Sequence, residues 1–227
     1  VLDRTVALKV MSQAVQEHPA AAKMFMQEAK ALAALNHQNI VTVFDQGSDN
    51  GQMFIVMEYV EGTTLEARMD EAGKLPLLEA IMVTAQLADA LAYAHERRVI
   101  HRDIKPANIF LDRRNRVKLG DFGIARVMKE AMIRQTEIKG TPLYMSPEQI
   151  TGKDIDARSD LYAVGCTFYE MLTGRPPFVE GEVLFHHMHT EPEPPSNHEP
   201  SIPANVDAVV MSCLMKDKAQ RPASAAA

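Results

Sequence analysis

The chain is poor in the features that would place it in several large classes of protein. Its 227 residues include only two cysteines, Cys166 and Cys213, each among apolar neighbours. A disulfide framework or thiolate metal site is therefore not expected; a reducing compartment is, and both are read as core thiols. Positive charge is not in surplus either. The formal net charge of −6 removes the electrostatic case for nucleic acid or an anionic membrane, which are held mainly by clustered Lys and Arg. No uninterrupted apolar run approaches the roughly 18 residues of a membrane span, and the first residues lack the basic-then-apolar pattern of a signal peptide. There is no internal repeat. What is present is a globular composition, 46% hydrophobic and 24% charged, long enough for one large domain or two lobes.

The first 60 residues alternate short β-rich runs (5–11, 40–45 and 53–59) with one helical segment at 20–35, and Gly47 and Gly51 punctuate a hairpin. This predicts a small, strand-rich first lobe. From Leu65 onward the strong signals are helices. The segment 76–98 opens with Pro at a first-turn position and carries Leu78, Ile81, Met82, Ala85 and Ala92 at helical spacing. SDLYAVGCTFYEMLTG (159–174) is apolar nearly all round and ends in Gly, as expected of a helix at the centre of a lobe. The Pro-rich stretch 191–203 reads as a loop rather than a polyproline ligand. His186, His187 and His189 lack a matching second pair of ligands and read as solvated helix-end histidines rather than a zinc site.

Several polar residues resist a bland reading. Lys9 interrupts the apolar run Val6-Ala7-Leu8-Lys9-Val10. Glu28 falls on the apolar stripe of the 20–35 helix, with Met24, Leu32 and Leu35 at −4, +4 and +7. Each charge needs a partner, and the two could serve each other, either as a plain structural ion pair or as part of a site. HRDIKPANIF (101–110) packs His101, Arg102, Asp103, Lys105 and Asn108 into eight residues before a β-like run. LGDFG (119–123) places Asp121 just after another strand-like run. Asp103, Asp121 and Asn108 together offer oxygen ligands for a hard cation and a proton acceptor.

VALK, Glu28, HRDIKPAN, DFG, GTPLYMSPE and the SDLYAVGC helix, in this order and covering essentially the whole chain, resemble a eukaryotic-type (Hanks-type) serine/threonine protein kinase catalytic domain, in phrasing a bacterial one. The resemblance implies an α+β, two-lobed protein kinase-like fold spanning 1–227. A small N-terminal β-sheet lobe with one helix would occupy 1–59, a hinge would lie near 58–62, and a larger, mainly helical C-terminal lobe would fill 60–227. It implies ATP and Mg²⁺, with Mn²⁺ as an alternative, and phosphorylation of Ser or Thr on protein substrates. Lys9 would hold the α- and β-phosphates and Glu28 would orient it; Asp121 and Asn108 would ligate the metal; Asp103 would accept the substrate hydroxyl's proton; Lys105 would meet the γ-phosphate. Met57, Glu58 and Val60 would form the gatekeeper and hinge, and Ala7 and Phe110 would sandwich the adenine, with plain core packing as the alternative for Phe110. Leu32, Val43, Phe122 and His101 fall where the family stacks an apolar spine. Arg102 would pair with a phosphate on the activation segment (121–148), with Thr136 as the autophosphorylation site, and Thr141 marks the Ser/Thr class. Glu148 and Arg221 would form a buried ion pair, and Asp160 would brace the backbone at His101 and Arg102.

Three departures stand out. Ser146 replaces the family's usual Ala, a one-hydroxyl change expected to have no effect. No G-x-G-x-x-G precedes VALK, and the last helix of the helical lobe is also missing, so the chain is expected to be a fragment of a longer protein. The same missing glycine loop keeps a pseudokinase, nucleotide-binding regulator or scaffold open as the alternative function. The kinase domain is expected in the cytoplasm. Membrane contact would come only through segments outside this chain, and trans-autophosphorylation would be served by a dimer.

Overall fold

The computed structural model describes residues 4–11, 26, 29–122 and 142–226. The first part is a three-stranded antiparallel sheet in the order β1-β3-β2, made of β1 (Val6–Val10), β2 (Val43–Asp49) and β3 (Gln52–Glu58). A tight turn joins β2 to β3. Asn50 and Gly51 both adopt positive φ (48° and 79°), the Asn-Gly chemistry that matches the strands' right-handed twist. In β1 the usual alternation is inverted: apolar Leu8 and Val10 are exposed, while Lys9 lies on the better-covered face. The lysine is thereby aimed at the rest of the molecule rather than at water. Helical residues 29–33 supply Ala29 and Leu32 to the core beneath the sheet.

A second antiparallel sheet, β4-β5-β6, comprises β4 (Gly62–Thr64), β5 (Ile109–Asp112) and β6 (Val117–Leu119). The two sheets meet through residues 39–41. Leu119 N–H donates to the Asn39 carbonyl (2.8 Å), Val41 N–H donates to the Leu119 carbonyl (2.9 Å), and Ile40 forms a parallel bridge with Leu119.

The remainder is helical: α1 (Leu65–Ala72), α2 (Leu77–Glu96), α3 (Pro147–Thr151), α4 (Ala157–Thr173), α5 (Val183–His189) and α6 (Ala204–Cys213). The centre is α4, capped by the Asp156 side chain at its start and by left-handed Gly174 at its end. It packs against α2 on one side and α6 on the other. Gly165 is required at the α4–α6 crossing, because a Cβ there would lie 2.8 Å from the Cys213 Cβ. By length and mean hydropathy α2 could cross a membrane, but Ala80, Val83, Leu87, Ala90, Leu91 and Ala94 bury one face of it in the helical core. Cys166 is fully buried, and its apolar surroundings push the thiol pKa up; Cys213 is half-buried.

Candidate active site

The loop between α2 and β5 is held from below by one carboxylate. Asp160, in the first turn of α4 and 1% exposed, accepts the backbone N–H of His101 and of Arg102 (both 2.8 Å) and meets His95 Nε2 at 2.7 Å. Arg102 has φ +66°, a left-handed conformation that non-glycine residues rarely adopt without outside support. Its N–H bonds to Asp160, and its carbonyl accepts from Gln149 Nε2 (2.9 Å), which supplies that support. The His101 ring is fully buried. Its Nδ1 accepts from Asp103 N–H (3.2 Å), so the ring proton sits on Nε2, which donates to the Gly120 carbonyl (2.8 Å). Burial lowers the pKa of this histidine despite the nearby carboxylates of Asp160, Asp103 and Asp121. The ring is thus a neutral strut against which Phe122 stacks, at a centroid separation of 4.4 Å.

Above that floor the polar side chains converge. Asn108 Nδ2 donates to the Asp103 carboxylate (2.9 Å) and carbonyl (2.7 Å), and Lys105 Nζ lies 3.0 Å from the same carboxylate. With its nitrogen so engaged, the Asn108 amide has its oxygen left to accept or to ligate. Asn108 also fixes the neighbouring strand end, its carbonyl accepting Gly120 N–H (3.0 Å). The next residue, Asp121, has φ +50° and receives the Lys9 ammonium on Oδ1 at 2.6 Å. Lys9 and Asp121 border a small cavity with Leu32, Val43, Met57 and Phe122.

The cleft's other wall is the end of β3. In β-sheet register Ala7 lies opposite Met57 and Val6 opposite Glu58; Val60 follows just past the strand and is half-buried. Phe110 packs its ring on Gly120, where a Cβ would come within 2.7 Å of the ring. That contact explains why a large aromatic is tolerated at 110 only beside a glycine. The Glu58 carboxylate is gripped by Lys118 Nζ at 2.8 and 2.9 Å and accepts Thr42 N–H at 3.1 Å.

Farther down, Arg221 donates to both oxygens of Glu148 (2.7 and 3.0 Å), and Ser159 Oγ donates to the same carboxylate (2.6 Å). Burial pushes the Glu148 carboxyl up, and these donors more than offset it, leaving its pKa below the ordinary value. Glu28, Thr136 and Thr141 lie outside the described residues.

Two expectations need correction. The Ser146 hydroxyl is not idle: it caps α3 by accepting Gln149 N–H (3.3 Å), while Gln149 Oε1 accepts Ser146 N–H (3.1 Å). This capping box orients the glutamine that holds the Arg102 carbonyl. Nor is His187 solvated. It is fully buried, with Nδ1 2.9 Å from the Tyr162 hydroxyl. Sequence reasoning also passed over Lys118, His95 and Gln149. Lys118 alone left a signal, as a lysine between the core residues Val117 and Leu119.

Comparison with known proteins agrees with this geometry. Residues 2–227 match the family model described as protein kinase domain. The chain belongs to the protein kinase family. It is 42% identical to the probable serine/threonine-protein kinase SCO3848 of Streptomyces coelicolor, over 99% of this chain and 35% of that protein. It is also 42% identical to the serine/threonine-protein kinase PknB of Mycobacterium tuberculosis, over 99% of this chain and 38% of that protein. The chain therefore spans little more than a third of the length of these curated relatives. Among solved structures, the PknI kinase domain of Mycobacterium tuberculosis superposes with a TM-score of 0.80 at 31% identity, covering 99% of this chain and 83% of that one. The α+β kinase fold, with a small sheet lobe and a helical lobe, is thereby shared.

Proposed function

We propose that this chain is the catalytic domain of a serine/threonine protein kinase, transferring the γ-phosphoryl group of ATP to Ser or Thr hydroxyls of protein substrates. The observation that carries the reading is the convergence of Asp103, Lys105 and Asn108 on one side and Lys9–Asp121 on the other, tied together through Asn108 and Gly120. Phosphoryl transfer needs little covalent chemistry from the protein, so placed charges and one proton acceptor suffice. Asp103 accepts the hydroxyl proton, Lys105 faces the γ-phosphate, and Lys9 exchanges part of its contact with Asp121 for the α- and β-phosphates. The free Asn108 oxygen and the second Asp121 oxygen suit a hard divalent cation, Mg²⁺ or Mn²⁺. When bound, that cation supplies charge neutralisation of the phosphates. Glu58 and Val60 offer backbone groups to the adenine edge, with the hinge at 58–62 joining a sheet lobe of 1–59 to a helical lobe of 60–227. Arg102 pairs with a phosphate on the 121–148 segment, at Thr136. The domain works in the cytoplasm and dimerises for trans-autophosphorylation.

Phosphate transfer from Mg·ATP to a generic basic protein, by this protein and by its Asp103→Asn variant, tests the reading. A loss of about 10²–10⁴-fold in the variant is expected for removal of a general base. Transfer that survives the substitution would refute the assigned role, and a wild-type protein that transfers nothing would refute the activity.

A further inference from the structure

The corner where β3, β6 and residues 39–42 meet holds an ion pair that the catalytic reading does not use. Lys118 Nζ contacts both carboxylate oxygens of Glu58, and the two side chains are only 16% and 26% exposed. Glu58 is also bonded twice to Thr42: its N–H donates to the Thr42 carbonyl (2.8 Å), and its Oε2 accepts Thr42 N–H (3.1 Å). The residue at the end of β3 is thus fixed by backbone and side chain together. A surface ion pair between two free side chains would contribute little. Here one partner is already immobilised, so the entropy lost on pairing is small and the geometry is strict.

What Lys118 joins matters more than its strength. It stands in β6, three residues before Asp121, on a strand locked to residues 39–41 through Leu119. Glu58 stands at the other wall of the cleft, where the proposed adenine-reading backbone begins. The pair is therefore a strut between the segment that would read the base and the strand that leads into Asp121, the carboxylate proposed to bind the metal.

We propose that Lys118 is a positioning residue for the nucleotide: by gripping Glu58 it sets the distance between the base-reading backbone and the phosphate end. The inference rests on the nucleotide-site reading above. Lys118 touches no reacting atom, so its signature is selectivity among pieces of the ligand. Adenosine uses the base-reading wall, Mg·pyrophosphate uses the phosphate end, and ATP uses both in register.

The test measures the affinity of all three ligands for the wild-type chain and for Lys118→Met, Lys118→Arg and Glu58→Gln, with thermal melting to confirm folding. For Lys118→Met, ATP affinity should fall about ten-fold, or 1.4 kcal/mol, while adenosine and pyrophosphate, each of which uses one end alone, stay unchanged within about two-fold. Lys118→Arg should restore most of the loss, since its guanidinium grips a carboxylate at two points, and Glu58→Gln should reproduce the loss in a residue that still accepts from Thr42. Equal weakening of all three ligands would reduce Lys118 to a general stabiliser and overturn the inference, as would unchanged ATP binding in Lys118→Met and Glu58→Gln. If the wild-type chain binds pyrophosphate but neither ATP nor adenosine, the base-reading assignment falls and the inference falls with it.

Discussion

Two ion pairs, each joining residues distant in sequence, show how differently the two halves of this molecule are held. Arg221 and Glu148 are 0% and 9% exposed, bidentate, and backed by Ser159. Lys9 and Asp121 are 27% and 40% exposed and meet through a single oxygen. The first pair is sealed and saturated, and it leaves Glu148 no spare capacity for a ligand. Among the described residues, the second leaves one carboxylate oxygen and most of an ammonium's donors unspent. The pair inside the helical lobe is built to stay in place, and the pair that bridges the two lobes at the cleft is built to change partners. The same contrast appears in the backbone, where left-handed Arg102 is clamped through both its N–H and its carbonyl.

The comparison can be broken most easily at its rigid end. Arg221→Ala leaves the Glu148 carboxylate buried with its charge unpaired, which is expected to destabilise the fold by about 3–5 kcal/mol; chemical denaturation measures it, and a change below about 1 kcal/mol would mean the pair is not sealed. A second handle is pH. Burial first, and the Lys216 ammonium second, lower the His187 pKa to about 4 from 6.5, and Tyr162 and His186 also face the ring. The unfolded chain then binds more protons between these values. Stability is full above pH 6.5 and declines as pH falls toward 4, by on the order of 2–3 kcal/mol. Denaturation midpoints across that window should fall in the wild type and flatten in His187→Asn. Glu148 acts in a lower window, because its depressed pKa gives stability present above pH 4.5 and lost as pH falls through the folded value. The smallest expected effect on stability is at the exposed pair. Lys9→Met should change stability by less than about 1 kcal/mol, as for other exposed pairs, while nucleotide-dependent phosphate transfer is lost; parallel melts and transfer assays separate the two.

Much of the floor of the site was legible because its residues are neighbours in the chain. His101, Asp103, Lys105 and Asn108 lie within one short loop, and so dense a polar cluster before a strand needs a purpose. The centre of the fold was legible in the same way: α4 is apolar nearly all round, which suits a core. Ser146 was misjudged because a hydroxyl's value depends on whether it precedes a helix, and the Gln149 that completes the box is an ordinary polar residue in sequence. His187 was misjudged because its neighbours in the chain are other histidines, whereas its neighbours in space are Tyr162 and the Phe178 ring.

By itself, then, the sequence determined the family, the order of the elements and the identity of the chemical groups, because those are written in local spacing and hydrophobic period. Only the tertiary structure decided which charges meet. Lys9 finds Asp121 across 112 residues and Glu58 finds Lys118 across 60, whereas the Glu148–Arg221 pair was already implied by the family resemblance. Coulomb attraction and desolvation depend on distance and burial in space, and neither quantity exists until the chain has folded.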